Sequence, residues 1–215
     1  MSEEIKPDEI VNFLKPRVGA RFKMWLNICA HCGLCADTCH FYTANGNDPK
    51  MIPSYKVRFL TQLLKKKGKV DRNYLQKVYN TVYYECNMCR RCTLYCPFGI
   101  DIALMISLLR ALLFSQGMAP EGLLKAIENY KEFGNQMALT DEDWVDNIEW
   151  CEEEMAGELV GLKIPIDKKG AKILYTVNAR EPMFYPQDMM EVAKIFYVAG
   201  EDYTYCSKPG WDDTN

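Results

Sequence analysis

Two copies of one cysteine pattern decide the fold: the chain reads CAHCGLCADTC over residues 29–39 and CNMCRRCTLYCP over residues 86–97. Each copy has the spacing C-x2-C-x2-C-x3-C, and together they use eight of the ten cysteines. This spacing is typical of proteins that bind two [4Fe-4S] clusters. The first three thiolates come from one tight turn and hold one cluster, while the fourth cysteine ligates the other cluster.

This rule predicts two ligand sets, each drawn from both copies of the pattern. We expect one cluster to be bound by Cys29, Cys32, Cys35 and Cys96, and the second by Cys86, Cys89, Cys92 and Cys39. Structural zinc is the main alternative, but zinc takes four ligands around one ion, so the third cysteine of each turn would be superfluous. Disulfides fit less well, because cysteines so close in sequence rarely reach relaxed bridge geometry.

The composition limits the classes of function. The chain has 215 residues, 48% of them hydrophobic, so it can bury the core of one large or two small domains. Its net charge of -3 argues against a nucleic-acid partner. The N-terminal residues 1–7 have no apolar signal region and no twin arginine, which predicts a cytoplasmic protein. Asp101 and Arg110 interrupt the most apolar stretch, residues 100–114, which is shorter than the roughly 20 residues that span a bilayer.

Apolar residues recur at helical spacing between and after the cysteine turns. Ser54, Asp71 and Asp101 are each expected to cap a helix, and Pro120 is expected in the first turn of a fourth. Thr140 is expected to start an acidic helix that carries Trp144, Ile148, Cys151 and Met155. Two cysteine turns bracketed by helices do not resemble the compact ferredoxin, in which two short hairpins hold the clusters.

The pattern changes beyond about residue 136. Residues 169–177 are predicted to form a buried strand, residues 186–199 a helix and residues 203–205 a second strand, which together make one βαβ unit. The chain is thus predicted to be mainly α-helical and to have four parts. These are an N-terminal helical extension (1–24), a helical domain with two [4Fe-4S] clusters (25–117), a helical linker (118–165) and a partial α/β domain (166–215).

The cysteine turns and the helices between them resemble the α-helical ferredoxin domain, over about residues 20–117. That domain is found in the iron-sulfur subunits of succinate dehydrogenase, glycolate oxidase and heterodisulfide reductase. Cys39 is followed by His40 where this family often has proline, so the local turn is expected to differ. The Cys39-His40-Phe41-Tyr42 turn, Asp48-Pro49, Pro53 and the unit ending in Ala199-Gly200 look most like subunit K of the DsrMKJOP complex of sulfate reducers. That resemblance covers nearly the whole chain, as the N-terminal part of a longer protein.

In heterodisulfide reductase-like proteins the catalytic centre is a noncubane iron-sulfur cluster bound by cysteines of CCG motifs. The resemblance therefore implies that residues 166–215 begin a CCG-type domain. This chain has no adjacent Cys-Cys pair, and Asn178 stands where related proteins place a cysteine. We therefore expect no catalytic residue within these 215 residues and a noncubane cluster only in sequence beyond Asn215. Whether the chain is itself an enzyme is left open at this point.

The same resemblance implies electron transfer through the two clusters. Electrons would come from a quinol-oxidising cytochrome b partner in the membrane and pass to a disulfide- or trisulfide-reducing centre, with the sulfur carrier DsrC as acceptor in sulfate or sulfite respiration. The chain would lie on the inner face of the cytoplasmic membrane, attached through other subunits of a respiratory complex. Two alternatives stay open: an iron-sulfur subunit of a glycolate- or succinate-type oxidoreductase, and a non-catalytic metal-binding scaffold or redox sensor.

A few further residues invite a functional interpretation. His31 could donate to a cluster sulfur, although an exposed loop residue is the simpler interpretation. His40 could replace Cys39 as a ligand, which would be a specialised arrangement. Cys151 is expected to be a packed thiol, and Cys206 is the better candidate for chemistry. The tyrosines near the second copy are expected to shield the clusters from water rather than to relay electrons: Tyr74, Tyr79, Tyr83, Tyr84 and Tyr95.

Overall fold

The computed structural model describes residues 5–208 and 210–213, and the chain divides into two compact units between Pro120 and Glu121. In the described part of the first unit every regular element is helical. Its α-helices are α1 (Pro7–Leu14), α2 (Ala20–Ile28), α3 (Leu34–Asp37), α4 (His40–Ala44), α5 (Pro53–Lys56), α6 (Arg58–Lys65), α7 (Arg72–Tyr83), α8 (Arg91–Leu94) and α9 (Ile102–Ser115), with a 3-10 turn at Pro49–Met51. The second unit contains α10 (Glu121–Phe133), α11 (Asp141–Met155), β1 (Ile173–Leu174), α12 (Arg180–Phe184), α13 (Pro186–Ala199) and β2 (Tyr203–Thr204).

Helix α9 lies at the centre of the first unit. It packs against α1, α5, α7 and α8, and its side chains at Met105, Ile106, Leu109 and Leu112 are fully buried. A helix that is apolar on nearly all sides is buried in this way inside a domain. The most apolar stretch of the sequence is therefore a core helix, and within the described residues no helix is both long and apolar enough to cross a membrane.

Two of the predicted helix caps in the first unit are confirmed and one is wrong. The Asp71 carboxylate accepts a hydrogen bond from the Tyr74 amide, and the Asp101 carboxylate accepts one from the Leu104 amide. Ser54 does not cap a helix, because Pro53 already occupies the first helical position. Proline presets the helical φ and has no amide hydrogen to satisfy, so α5 begins there without a side-chain cap.

A tight approach of two backbones fixes the N-terminal helix of the first unit. Gly68 has a φ of +72°, and a Cβ placed on it would lie 2.5 Å from the carbonyl oxygen of Pro7. Only glycine avoids both the left-handed strain and this contact. The turn after α6 can therefore lie directly against α1, and Ile10 of α1 is buried there.

The second unit is built around α11. Thr140 caps this helix by accepting from the Asp143 amide, and Trp144, Ile148 and Met155 are buried in its core, as predicted. Although this helix falls in the segment predicted as a linker, it packs against α12 and α13. The Trp144 ring stacks on Trp211 with centroids 4.5 Å apart.

The βαβ unit is present but smaller than predicted. Strands β1 and β2 pair in parallel, and α13 has the predicted bounds. The strand predicted over residues 169–177 is only two residues long, and Leu174 is 62% exposed, so the prediction of a buried strand is wrong. A strand extends only where a neighbour pairs with it, and Val177 pairs instead with Asp212 in an isolated bridge. The short helix α12 follows directly and was not predicted.

Candidate metal centres

The two cysteine loops follow the same backbone course. His31 and Gly33 flank Cys32 with φ angles of +54° and +87°, and Met88 and Arg90 flank Cys89 with +57° and +65°. Left-handed residues on both sides turn the chain tightly around the second cysteine of each loop. Each loop then enters a short helix that carries the third cysteine, Cys35 in α3 and Cys92 in α8.

Each loop forms one side of a cavity, and the fourth cysteines are exchanged between the two cavities. Cys29, Cys32, Cys35 and Cys96 line the first cavity, and Cys39, Cys86, Cys89 and Cys92 line the second. The exchange follows from the packing of α3 against α8, which brings the cysteine two residues beyond each helix to the opposite loop. The eight cysteines therefore line the two cavities in the same sets of four that the spacing predicts, and their role as cluster ligands stays a prediction.

The two cavities are close neighbours. Ile102, at the start of α9, lines both of them. The charge of Cys35, in the first cavity, also contributes to the raised pKa of the Cys92 thiol in the second cavity. The two groups of four cysteines therefore lie close to each other.

Several hydrogen bonds reach the cysteine sulfurs. The Met88 amide donates to Cys86 Sγ at 3.4 Å, and Nδ1 of His31 lies 3.8 Å from Cys29 Sγ. The amide and hydroxyl of Ser54 both bond to Cys35 and lower the pKa of its thiol. Ser54 therefore has a different role from the helix cap that its sequence position suggests. Donors of this kind favour the charged, thiolate form of a sulfur ligand.

Burial acts in the opposite direction on the same sulfurs. Burial raises the pKa of the Cys92 thiol to about 12, with smaller contributions from Cys86, Cys35, Cys89 and Cys39, and burial also raises the pKa of Cys35. Grouped thiols in a desolvated cavity resist ionisation unless positive charge is placed among them. Metal ions supply that charge, and a coordinating thiol is deprotonated outright. The donor set therefore suits a metal cluster better than it suits free thiols.

A buried cation stands beside the second cavity. The Lys56 side chain lies in the cavity lining, the residue is 2% exposed, and its ammonium donates to the Glu85 carbonyl and lies 5.2 Å from the centroid of the Phe41 ring. Among the ion pairs of the described residues none joins Lys56 to a carboxylate. A buried charge needs a compensating partner. An iron-sulfur cluster with four thiolates has a net negative charge, so the residues of this cavity fit such a group.

Two charged side chains hold the second loop in place. Arg110 of α9 donates to the carbonyl oxygens of Val82 and Cys86 at 2.8 Å and 2.6 Å. Asp101 caps α9, accepts from the Thr93 hydroxyl at 3.2 Å and pairs with Arg90 at 2.8 Å. Both ends of the loop that carries Cys86, Cys89 and Cys92 are therefore fixed to the central helix.

Comparison with known proteins agrees with this site. Residues 25–100 match the family described as the 4Fe-4S dicluster domain. The chain is 32% identical over 214 residues to the Hdr-like menaquinol oxidoreductase iron-sulfur subunit 2 of Archaeoglobus fulgidus. It is 31% identical over 216 residues to the Hdr-like menaquinol oxidoreductase iron-sulfur subunit of Archaeoglobus profundus. Each comparison covers 88% of this chain.

This chain is a heterodisulfide reductase-like iron-sulfur protein. It covers 38% of the length of each of these two Hdr-like relatives. No solved structure matches it. The family match lies in the first unit of the Hdr-like chain, and the relatives extend the similarity into the second unit.

The structure also places the other candidate residues of this Hdr-like chain. His31 and His40 are exposed, and His40 contributes to the lining of the second cavity beside Cys39. Cys151 is fully buried next to Asn147, as expected for a packed thiol, and Cys206 Sγ donates to the Lys208 carbonyl at 3.6 Å. Within the described residues no three His, Cys, Asp or Glu side chains converge as ligands of a single metal ion.

Asn178 and some of the tyrosines near the second cysteine loop form hydrogen bonds within the protein. Asn178 accepts from Gln136 and from the Arg180 amide, so it holds loops together where related proteins have a cysteine. Among the tyrosines, Tyr74 and Tyr83 pack on the core with their hydroxyls donating to backbone carbonyls. Tyr84 and Tyr95 are exposed and provide little cover.

Sequence reasoning missed Lys56 and Arg110. A lysine is usually read as a surface residue, and an arginine in an apolar stretch as an interruption. One signal was present for Lys56: it precedes Leu60 by four residues and therefore lies on the buried stripe of a helical pattern.

Proposed function

We propose that this Hdr-like chain transfers electrons through two [4Fe-4S] clusters. Cys29, Cys32, Cys35 and Cys96 would bind one cluster, and Cys39, Cys86, Cys89 and Cys92 the other. The observation that carries the proposal is the pair of neighbouring cavities, each lined by four cysteines from both loops. When bound, such clusters accept and release electrons at potentials set by their ligands, hydrogen bonds and solvent exposure.

The residues of the chain provide the surroundings that electron transfer needs. Ile102 lines both cavities, so the path between them is short. Phe98 and Ile100 line the first cavity, and Phe41 and Ile106 line the second, so both are partly apolar. Apolar walls limit the access of water and lower the local dielectric. The chain thus supplies thiolates, a short path and a low dielectric.

We further propose where the electrons come from and go to. The named relatives are subunits of menaquinol oxidoreductases. By that similarity, electrons would enter from menaquinol through a membrane cytochrome b partner, and the chain would lie at the inner membrane face through its partner subunits. The electrons would then pass to a disulfide- or trisulfide-reducing centre. This centre would be a noncubane cluster in a CCG-type domain of a longer protein. A DsrC-like sulfur carrier in sulfite respiration is the acceptor favoured by the resemblance to subunit K of DsrMKJOP.

The first test is the metal content of anaerobically purified protein. We expect about eight irons per chain and a broad absorption band near 400 nm that bleaches with dithionite. About two zinc ions per chain and no colour would refute the cluster proposal.

The exchanged ligands can be tested with paired substitutions. Cys39→Ala and Cys86→Ala should each halve the iron content, and the double variant should lose no more than either single one, because both residues serve one cluster. Cys39→Ala combined with Cys29→Ala should remove both clusters. Cys206→Ala is the matched control and should leave the iron content unchanged. If the Cys39→Ala, Cys29→Ala double variant keeps one cluster, the exchange is wrong.

A further inference from the structure

We infer that Lys56 is a built-in counter-charge that raises the reduction potential of the cluster bound by Cys39, Cys86, Cys89 and Cys92 above that of its neighbour. The inference rests on the proposed cluster binding. It adds a specific role for a residue that is not a ligand: the lysine determines which of the two sites holds an electron more tightly.

The position of Lys56 is fixed by packing on several sides. It ends α5, and this helix packs against both α3 and α9. The side chain lies in the second cavity with its ammonium bonded to the Glu85 carbonyl, immediately before Cys86. Phe41 shields it on another side. A charge held in this way cannot turn towards water when the cavity is filled.

The two cavities differ in the charges that line them. The charged residues of the second cavity are Lys56, Glu85, Arg90 and Arg91. Arg90 and Arg91 are exposed, Arg90 pairs with Asp101, and Glu85 is only partly buried, so Lys56 is the one fully buried charge among these four residues. Among the described residues that line the first cavity there is no lysine, arginine, aspartate or glutamate.

Two features near the first cavity also stabilise an added electron there, and the effect of each is weaker than that of Lys56. Arg58 and Lys65 line an open cavity next to Cys29, but both are exposed, so solvent and salt screen them. Ser54 bonds to Cys35 through its amide and its hydroxyl, which also favours the reduced state. Dipoles of this kind interact less strongly with a negative centre than a full charge does in a low-dielectric site.

The direction of the effect follows from charge balance. Uptake of one electron from a donor makes a cluster and its four thiolates more negative by one charge. A nearby ammonium stabilises that more negative state more than the oxidised state, because the attraction grows with the charge. An electron shared by the two sites should therefore reside mainly on the site next to Lys56.

The test is a potentiometric titration followed by electron paramagnetic resonance. Lys56→Met removes the charge and keeps an apolar stem of similar length, and Lys77→Met removes an exposed charge from the same unit as a matched control. We expect Lys56→Met to lower the reduced-to-oxidised ratio of one cluster at least tenfold at a fixed ambient potential, about 59 mV for a one-electron couple. The other cluster, and both clusters of Lys77→Met, should keep the wild-type ratio. In a Cys96→Ala background, which retains only the second site, the shift should persist.

The outcomes separate this inference from the cluster proposal. Wild-type protein without iron would refute the proposal, whereas loaded Lys56→Met protein with unchanged potentials would refute the inference alone. Lys56→Arg keeps the charge and should keep the potential; an equal shift in Lys56→Arg and Lys56→Met would also refute it. If no Lys56 variant loads, the wild-type titration still decides, since one common potential for both clusters contradicts the inference.

Discussion

Replacing Arg110 with methionine should loosen the second cysteine loop without disturbing the core. Methionine keeps the packing of the aliphatic stem but loses the hydrogen bonds to the Val82 and Cys86 carbonyls. Hydrogen bonds from a charged donor contribute roughly 1.5–3 kcal/mol each. Because the side chain is only half-buried, we take the lower end, about 3 kcal/mol for the pair.

This free energy can be expressed as a rate. If both hydrogen bonds are lost before the transition state for unfolding, 3 kcal/mol corresponds to about a hundredfold faster unfolding, at 1.4 kcal/mol per factor of ten. Unfolding rates at a fixed urea concentration, followed by far-UV circular dichroism under anaerobic conditions, measure this change. The matched control is Arg58→Met, whose exposed guanidinium lies over the Tyr55 ring at 5.5 Å, a contact that contributes about 0.5–1 kcal/mol. Equal rates for the two variants would refute the role given to Arg110.

Two further predictions concern other parts of the chain. Gly68→Ala should lower the melting temperature more than Gly117→Ala, because both have left-handed backbones that cost about 1–2 kcal/mol but only Gly68 meets another backbone; equal melting temperatures would contradict the tight approach of α1. In the second unit, burial and neighbouring aspartates raise the pKa of Glu181 above its ordinary value of 4.5, so the folded state favours the protonated form. The stability that this preference adds is present at pH below 4.5 and is lost as the pH rises through the folded pKa. Glu181→Gln should therefore raise the melting temperature at pH 7, and the gain should shrink towards pH 4.5; a gain independent of pH would contradict this explanation.

Local features of the fold were predictable from the sequence, and features that depend on distant partners were not. Asp71 and Asp101 cap helices as predicted because a cap needs only the next three residues. The cap predicted at Ser54 is absent because the helix already begins at Pro53, the preceding residue. The strand predicted over residues 169–177 shrank to Ile173–Leu174 because strand length depends on a partner from elsewhere in the chain.

The same distinction applies to the candidate site. The grouping of cysteines by cavity follows from spacing alone, since the turns are local and the exchange of the fourth cysteine accompanies this motif. The burial of Lys56 depends on how α5, α3 and α9 pack, which no short window of sequence contains. The contacts of Arg110 likewise join residues of α7 and α9 that are far apart in sequence.

The exchanged cysteines also determine when the two cavities can be completed during synthesis. Cys29, Cys32 and Cys35 leave the ribosome early, but their cavity lacks a wall until Cys96 has been made. The second cavity has all its cysteines once Cys92 has been made, shortly before Cys96 in the sequence. Contacts between such distant residues form slowly during folding. A nascent chain must therefore keep its first thiols reduced and unpaired until the second loop emerges, after which both cavities close almost together.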